Sequence, residues 1–195
     1  MAVVFGVYLM RAKTIFIVCI VSIIISVILC TLGFSPTSVP IDSVATMWPG
    51  AITQAITAIL FGGWGIVITV LSGVFVDIIN VGDPHITFGF MLPDFIQAFI
   101  PALYYRTLFK KLSEDDSVDF RFGPYLFYAV LLPNILGAMV ATFILHQKTG
   151  VSMNMVFARW LIANIPIAIL FGWPLVRFLG PVMVEEKLFV KGWWK

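Results

Sequence analysis

The sequence predicts an all-α polytopic membrane protein: one integral membrane domain over residues 1–195, six transmembrane helices, and N and C termini cytoplasmic. Three observations carry this. Hydrophobic residues make up 61% of the 195 and charged ones 11%, against roughly 45–50% and 25% in soluble domains, so lipid has to be the missing solvent. Cutting at charges and Pro/Gly clusters leaves six apolar runs of spanning length, at 14–34, 45–61, 63–81, 86–105, 125–145 and 153–172. Ten of the twelve Lys and Arg residues then fall on one side, the positive-inside pattern expected of a multi-pass protein of the cell membrane.

The first run follows Arg11 and Lys13. At 21 residues it exceeds the usual 7–15 of a signal-peptide core and no small-residue cleavage pattern follows, so it reads as a retained span. Cys19 and Cys30 lie on it about 16 Å apart along a helix, beyond disulfide reach. Residues 35–44, with two prolines and small polar residues, form the longest outer connection and the natural lid. The second and third runs meet at Phe61-Gly62-Gly63-Trp64-Gly65, which carries no charge. Fusing them would put the cationic loop after run four opposite Arg11 and Lys13, so a turn is the better reading. That loop, 106–122, mixes Arg106, Lys110, Lys111 and Arg121 with Glu114, Asp115, Asp116 and Asp119, and reads as a solvated cytoplasmic connection. Runs five and six are joined outside by 146–152; Arg177, Lys187, Lys191 and Lys195 follow run six inside, with Trp193 and Trp194 as interfacial anchors.

Ionisable residues inside membrane helices are expensive and mark wet or functional interiors. Asp77, Asp94 and Arg159 are the clear cases, expected about 6, 12 and 9 Å below the outer boundary. Asn80 lies near Asp77, Gln97 near Asp94 and Asn154 above Arg159, with Gln54 near the midplane and Trp48 at the outer rim. The expected picture is an outward-facing polar cavity, closed toward the cytoplasm, that takes a small-molecule substrate. Its candidate lining is Trp48, Gln54, Asp77, Asn80, Asp94, Gln97, Asn154 and Arg159. Two plainer readings stay open: an ion pair between Arg159 and one aspartate that fixes helix register, and Gln54, Asn134 and Asn164 as interhelical hydrogen-bond glue. Asp42, Asp77, Asp83 and Asp94 against Lys148 and Arg159 in the outer half favour a neutral, zwitterionic or cationic ligand over a polyanion.

Other chemistries find little support. Net charge is only +2, so no basic stripe for nucleic acid is present. His85 and His146 sit in no metal-binding or nucleophile motif, and no Gly-rich phosphate loop occurs, so no metal, cofactor or ATP is expected on this chain and no enzyme activity. Ala51-xxx-Ala55 and Ala98-xxx-Ala102 put small side chains on one helix face, where another helix can approach closely, either a partner's or one of this chain.

The stretches Trp48-Pro49-Gly50-Ala51, Leu60-Phe61-Gly62-Gly63-Trp64-Gly65, Leu71-Ser72-Gly73 through Asp77, Phe88-Gly89-Phe90 and Asp94-Phe95-Ile96-Gln97-Ala98 carry a resemblance. It is to the membrane substrate-binding subunits (S components) of energy-coupling factor (ECF-type) vitamin transporters, and covers about residues 45–105 by motif. The resemblance implies a six-helix subunit that captures a vitamin-like micronutrient outside. It implies association with a transmembrane scaffold subunit and two cytoplasmic ATPases, and toppling to release the ligand inward. One departure is that run one offers Ser22-xxx-Ser26 where that family usually has an Ala-xxx-Ala contact motif. The alternatives are a non-transporting membrane assembly or sensory module, and an outer-face membrane enzyme using Asp77 and Asp94 as acid and base.

Overall fold

A computed structural model of the chain describes residues 2–33, 47–108, 120–186 and 188–194. It is 87% helical, and no strand occurs among the described residues. The anticipated lid, 35–44, and most of the charged loop between runs four and five lie outside the described residues.

Six helical rods occupy the six apolar runs. They are α1 (Ala2–Gly33), α2 (Gly50–Phe61), α3 (Gly63–Asn80), α4 (Pro84–Leu103, extended by a π-helical turn, Tyr104–Leu108), α5 (Phe122–Thr149) and α6 (Met153–Glu185). Four of them, 63–80, 84–107, 122–149 and 153–185, are long and apolar enough to cross a membrane. The apolar part of α1, Phe16–Leu32, is slightly shorter, and α2 has only 12 residues. At 1.5 Å per residue α2 is about 18 Å long, well short of a hydrocarbon core of about 30 Å.

Neighbouring rods alternate in direction. Gly62 makes the α2–α3 turn at φ 61°, ψ −122°, a region open to glycine and strained for other residues, so the split at this point is observed. Gly65 lets α3 close on α2, because a side chain there would run into the Thr57 carbonyl. Asp83 caps α4, its carboxylate accepting from the N–H of His85 (2.8 Å) and of Ile86 (3.4 Å), with Pro84 at the first helical position. Gly89 beside Ile144 and Gly137 beside Gln97 mark an antiparallel α4–α5 pair, closed at one end by Lys148 and Asp83 at 3.3 Å. Asn164 donating to Asn134 Oδ1 (2.9 Å) and Tyr125 Oη donating to the Ala168 carbonyl (2.7 Å) tie α6 to α5. Asn80 Nδ2 donates to Thr31 Oγ1 at 3.4 Å, which brings the C-terminal ends of α1 and α3 together.

Short α2 is the centre of this bundle. Nine of its twelve residues are buried and it touches each of the other five rods. Its Ala51 and Ala55, and Ala98 and Ala102 of α4, are buried inside the chain. They allow close packing within the bundle, the second of the two readings left open for these pairs.

At one end of the bundle, Arg106 is only 6% exposed. Its guanidinium donates to the carbonyls of Ala58 (3.0 Å), Ile59 (2.8 Å), Val190 (3.0 Å) and Gly192 (3.0 Å), and lies 5.6 Å from the Phe189 ring. Two of these carbonyls belong to the last turn of α2, where helix ends carry unpaired oxygens and negative potential. The same bonds hold the tail 188–194 under α2, helped by Val190 N–H to Leu60 O (2.9 Å) and Gly63 N–H to Trp193 O (2.7 Å). Arg106 therefore does not belong to a solvated loop: α4 runs on through a π-helical turn and carries it into the bundle. Trp193 stacks on Phe99 and Trp194 sets its edge on Trp64, so the tail tryptophans pack on the protein itself. Run six passes through a π-helical turn, Ala168–Gly172, and continues beyond it as α-helix to Glu185. Pro174 directly follows this π-helical turn inside the continuous rod.

Candidate ligand site

The site grows from one residue of the central helix. Gln54, 4% exposed, donates through Nε2 to Asp94 Oδ1 at 2.9 Å, across the α2–α4 contact. Asp94 is 5% exposed and about 15 Å along α4 from Pro84, which puts it near mid-bundle. Its second oxygen rests over Gly73 of α3, where a Cβ would occupy the same space. Asp77, also 5% exposed, stands one turn from Gly73 toward the Asp83 end, about 6 Å along α3. Its carboxylate has no hydrogen-bond donor among the described residues. Cys30 of α1 is buried near Gly50.

Unmet hydrogen bonds cluster here. Gln54 Oε1 has no partner, and neither Nε2 nor Oε1 of Gln97 has one, although both residues are buried. Gln97 follows Asp94 by one turn and lies against Gly137, where a Cβ would fall 2.7 Å from its Nε2. Buried polar groups are almost always paired, so a set of orphans around a buried carboxylate needs an explanation.

The other predicted residues divide. Trp48 is half-buried, its ring against Gly50 and its backbone N–H bonded to the Ala163 carbonyl at 3.2 Å, so it flanks the site at the start of α2. Arg159 is half-buried one turn from Ala163 toward the Asp83 end, and pairs with neither aspartate among the described residues. The anticipated register-fixing ion pair is therefore not formed. Asn154 is exposed in the first turn of α6, away from Gln54 and Asp94. Asn80 spends its amide on Thr31 and on the Val76 carbonyl at 2.8 Å, so it joins α3 to α1. Asn164 and Asn134 do serve as interhelical glue. His85 and His146 are exposed, and among the described residues no cluster of His, Cys, Asp and Glu could hold a metal.

Sequence reasoning missed Arg106, whose position just before a charged loop gave it the look of a surface residue. It also missed the Thr57 hydroxyl on the α2–α3 seam, which donates to the Thr53 carbonyl at 2.7 Å and lies 3.5 Å from Thr69 Oγ1. Elsewhere, a groove of about 520 Å³ runs along α3 and α4 beside Trp193 and Trp194, lined by apolar side chains such as Ile66, Val70, Phe95 and Phe99.

Apolar spanning helices around an ionisable, hydrogen-bond-deficient centre define the class: an all-helical membrane protein. No known protein family, no characterised protein and no solved structure matches the chain.

Proposed function

We propose that this chain is the ligand-capturing membrane subunit of a transporter, holding a small vitamin-like molecule between α2, α3 and α4 for uptake. The observation that carries the reading is the buried Gln54–Asp94 hydrogen bond, with Asp77 one turn away and orphaned amide atoms around it. Such a centre has a large desolvation cost in a membrane protein, which an arriving hydrogen-bonding ligand offsets. In this proposal all six rods are spans, α2 being carried at the bundle centre by its neighbours, and both termini face the cytoplasm. Energy comes from outside the chain: a transmembrane scaffold subunit and two cytoplasmic ATPases, as the resemblance to ECF-type S components implies.

A packing module without a ligand is the competing reading, favoured by the Asn134–Asn164 bond, which serves helix association alone. Native mass spectrometry of the protein released from lipid nanodiscs separates the two. A small molecule retained by the wild type and lost from Asp94→Asn, with membrane insertion intact in both, is the expected result. A wild-type protein that carries nothing, in cells whose uptake of micronutrients is unchanged by the substitution, overturns the transport reading.

A further inference from the structure

The unmet groups at this centre are mostly acceptors: Gln54 Oε1 and Gln97 Oε1 have no partner, against one donor, Gln97 Nε2. Because Gln54 uses Nε2 on Asp94, the amide atom left without a partner is the carbonyl Oε1. Asp94 Oδ2 lies over the bare Cα of Gly73, and the Asp77 carboxylate has no donor among the described residues. The cations of the described chain are elsewhere. Arg106 is committed to four carbonyls at the opposite end, Lys148 is paired with Asp83, and Arg159 reaches neither carboxylate. Two buried carboxylates and an amide oxygen thus face one region with no positive charge to answer them.

Resting on the reading that this is a ligand site, we propose that its occupant is a small organic cation, whose ammonium or amidinium N–H groups donate to Asp94, Asp77 and Gln54 Oε1. Charge-assisted N–H···O bonds are the strongest a ligand can offer such acceptors. An inorganic divalent ion suits the site poorly, since it asks for about six or more oxygen ligands and no ligand cluster is present among the described residues. Trp48 beside Gly50 supplies an aromatic face at the start of α2, suited to a cation attached to an apolar body.

Three probes of one shape and different charge test this: benzylamine, benzyl alcohol and benzoate, titrated against the full-length protein in lipid nanodiscs while its thermal unfolding is followed. Benzylamine is expected to raise the midpoint in a saturable way, and the neutral and anionic probes to leave it unchanged. Asp94→Asn is expected to weaken the benzylamine effect about tenfold or more. Gly73→Ala, which displaces Asp94 without removing it, is expected to do the same and guards against misfolding of the first variant. Equal stabilisation by benzyl alcohol or benzoate, or indifference to both substitutions, overturns the cation assignment. Stabilisation by sodium chloride that Asp94→Asn abolishes, with no added effect of benzylamine, overturns it in favour of an inorganic cation. If none of the probes stabilises the protein, the cation assignment fails too. In each of these failures, a co-purified molecule that depends on Gln54 and Asp94 would show the ligand site itself standing.

Discussion

Asn164 donates to Asn134, which donates in turn to the Val130 carbonyl at 2.8 Å, so each amide keeps the other oriented inside the α5–α6 contact. Interhelical bonds of this kind contribute about 0.6 kcal/mol on average and up to about 1.7 in membrane bundles. Asn164→Leu is expected to cost about that much in thermal unfolding, and a double-mutant cycle with Asn134→Leu should recover most of it as coupling. Asp83 works differently because it lies between spans, in water. Desolvation would raise its carboxyl, but the His85 N–H, the Lys148 ammonium and the Ile86 N–H together outweigh it and hold the group below the usual carboxylate range. A depressed folded value means that its stabilising effect is present above the ordinary value of about 4 and fades as pH falls through the lower folded one. Melting curves recorded from neutral to acid pH should show this loss in the wild type and lack it in Asp83→Asn. High salt should shrink the difference, since the Lys148 contact is exposed.

The elements behave according to how visible their causes are along the chain. The α2–α3 break was legible because Gly62-Gly63 stands between two apolar runs and charge placement demanded a reversal. The true length of α2 was misread: the apolar run was carried through Pro49-Gly50, a local boundary signal, and the helix starts at Gly50 with the Trp48 backbone N–H bonded to the Ala163 carbonyl of α6. Arg106 was misread for a different reason, since exposure depends on what a helix end meets in space. Removing it should take a donor from the Ala58 and Ile59 carbonyls of α2 and from the Val190 and Gly192 carbonyls of the tail, and loosen the tail. Arg106→Ala is therefore expected to lower stability by roughly 3 kcal/mol, from the loss of several hydrogen bonds to a charged group. Arg106→Lys should rescue only part of this, because one ammonium cannot span four carbonyls held in a fork. Gly62→Ala should cost about 1–2 kcal/mol from its left-handed backbone alone. Its added methyl would also press on the Arg106 side chain. Calorimetry in detergent, with trypsin cleavage of the tail as a second readout, checks all three; an Arg106→Ala protein with wild-type melting and an uncut tail would refute the pinning role.

At the scale of the molecule, alternation of the rods puts Lys148 and Asp83 at one end and Arg106 with the tail at the other. The positive-inside argument assigns the first end to the outside. Single cysteines introduced at Lys148 and Arg177, both exposed, provide the measurement, with the native Cys19 and Cys30 buried and quiet. Lys148→Cys should react with an impermeant maleimide on intact cells, and Arg177→Cys only after permeabilisation. Labelling of both from one side would refute the six-span topology.

Composition and charge order determined, from the chain alone, that lipid is the solvent, that the fold is helical, where the α2–α3 turn falls, and that Asp77, Asp94 and Gln54 are costly residues needing a reason. Each of these depends on transfer free energies and neighbours along the chain. Which polar residues meet was decided only in three dimensions. Rotation and depth of each rod come from side-chain packing, and the absence of side chains at Gly65, Gly73 and Gly137 sets how near the rods come. That closeness joins Gln54 to Asp94, leaves Asn154 and Arg159 apart from them, and turns a residue at the edge of a charged loop into the buried pin of the tail.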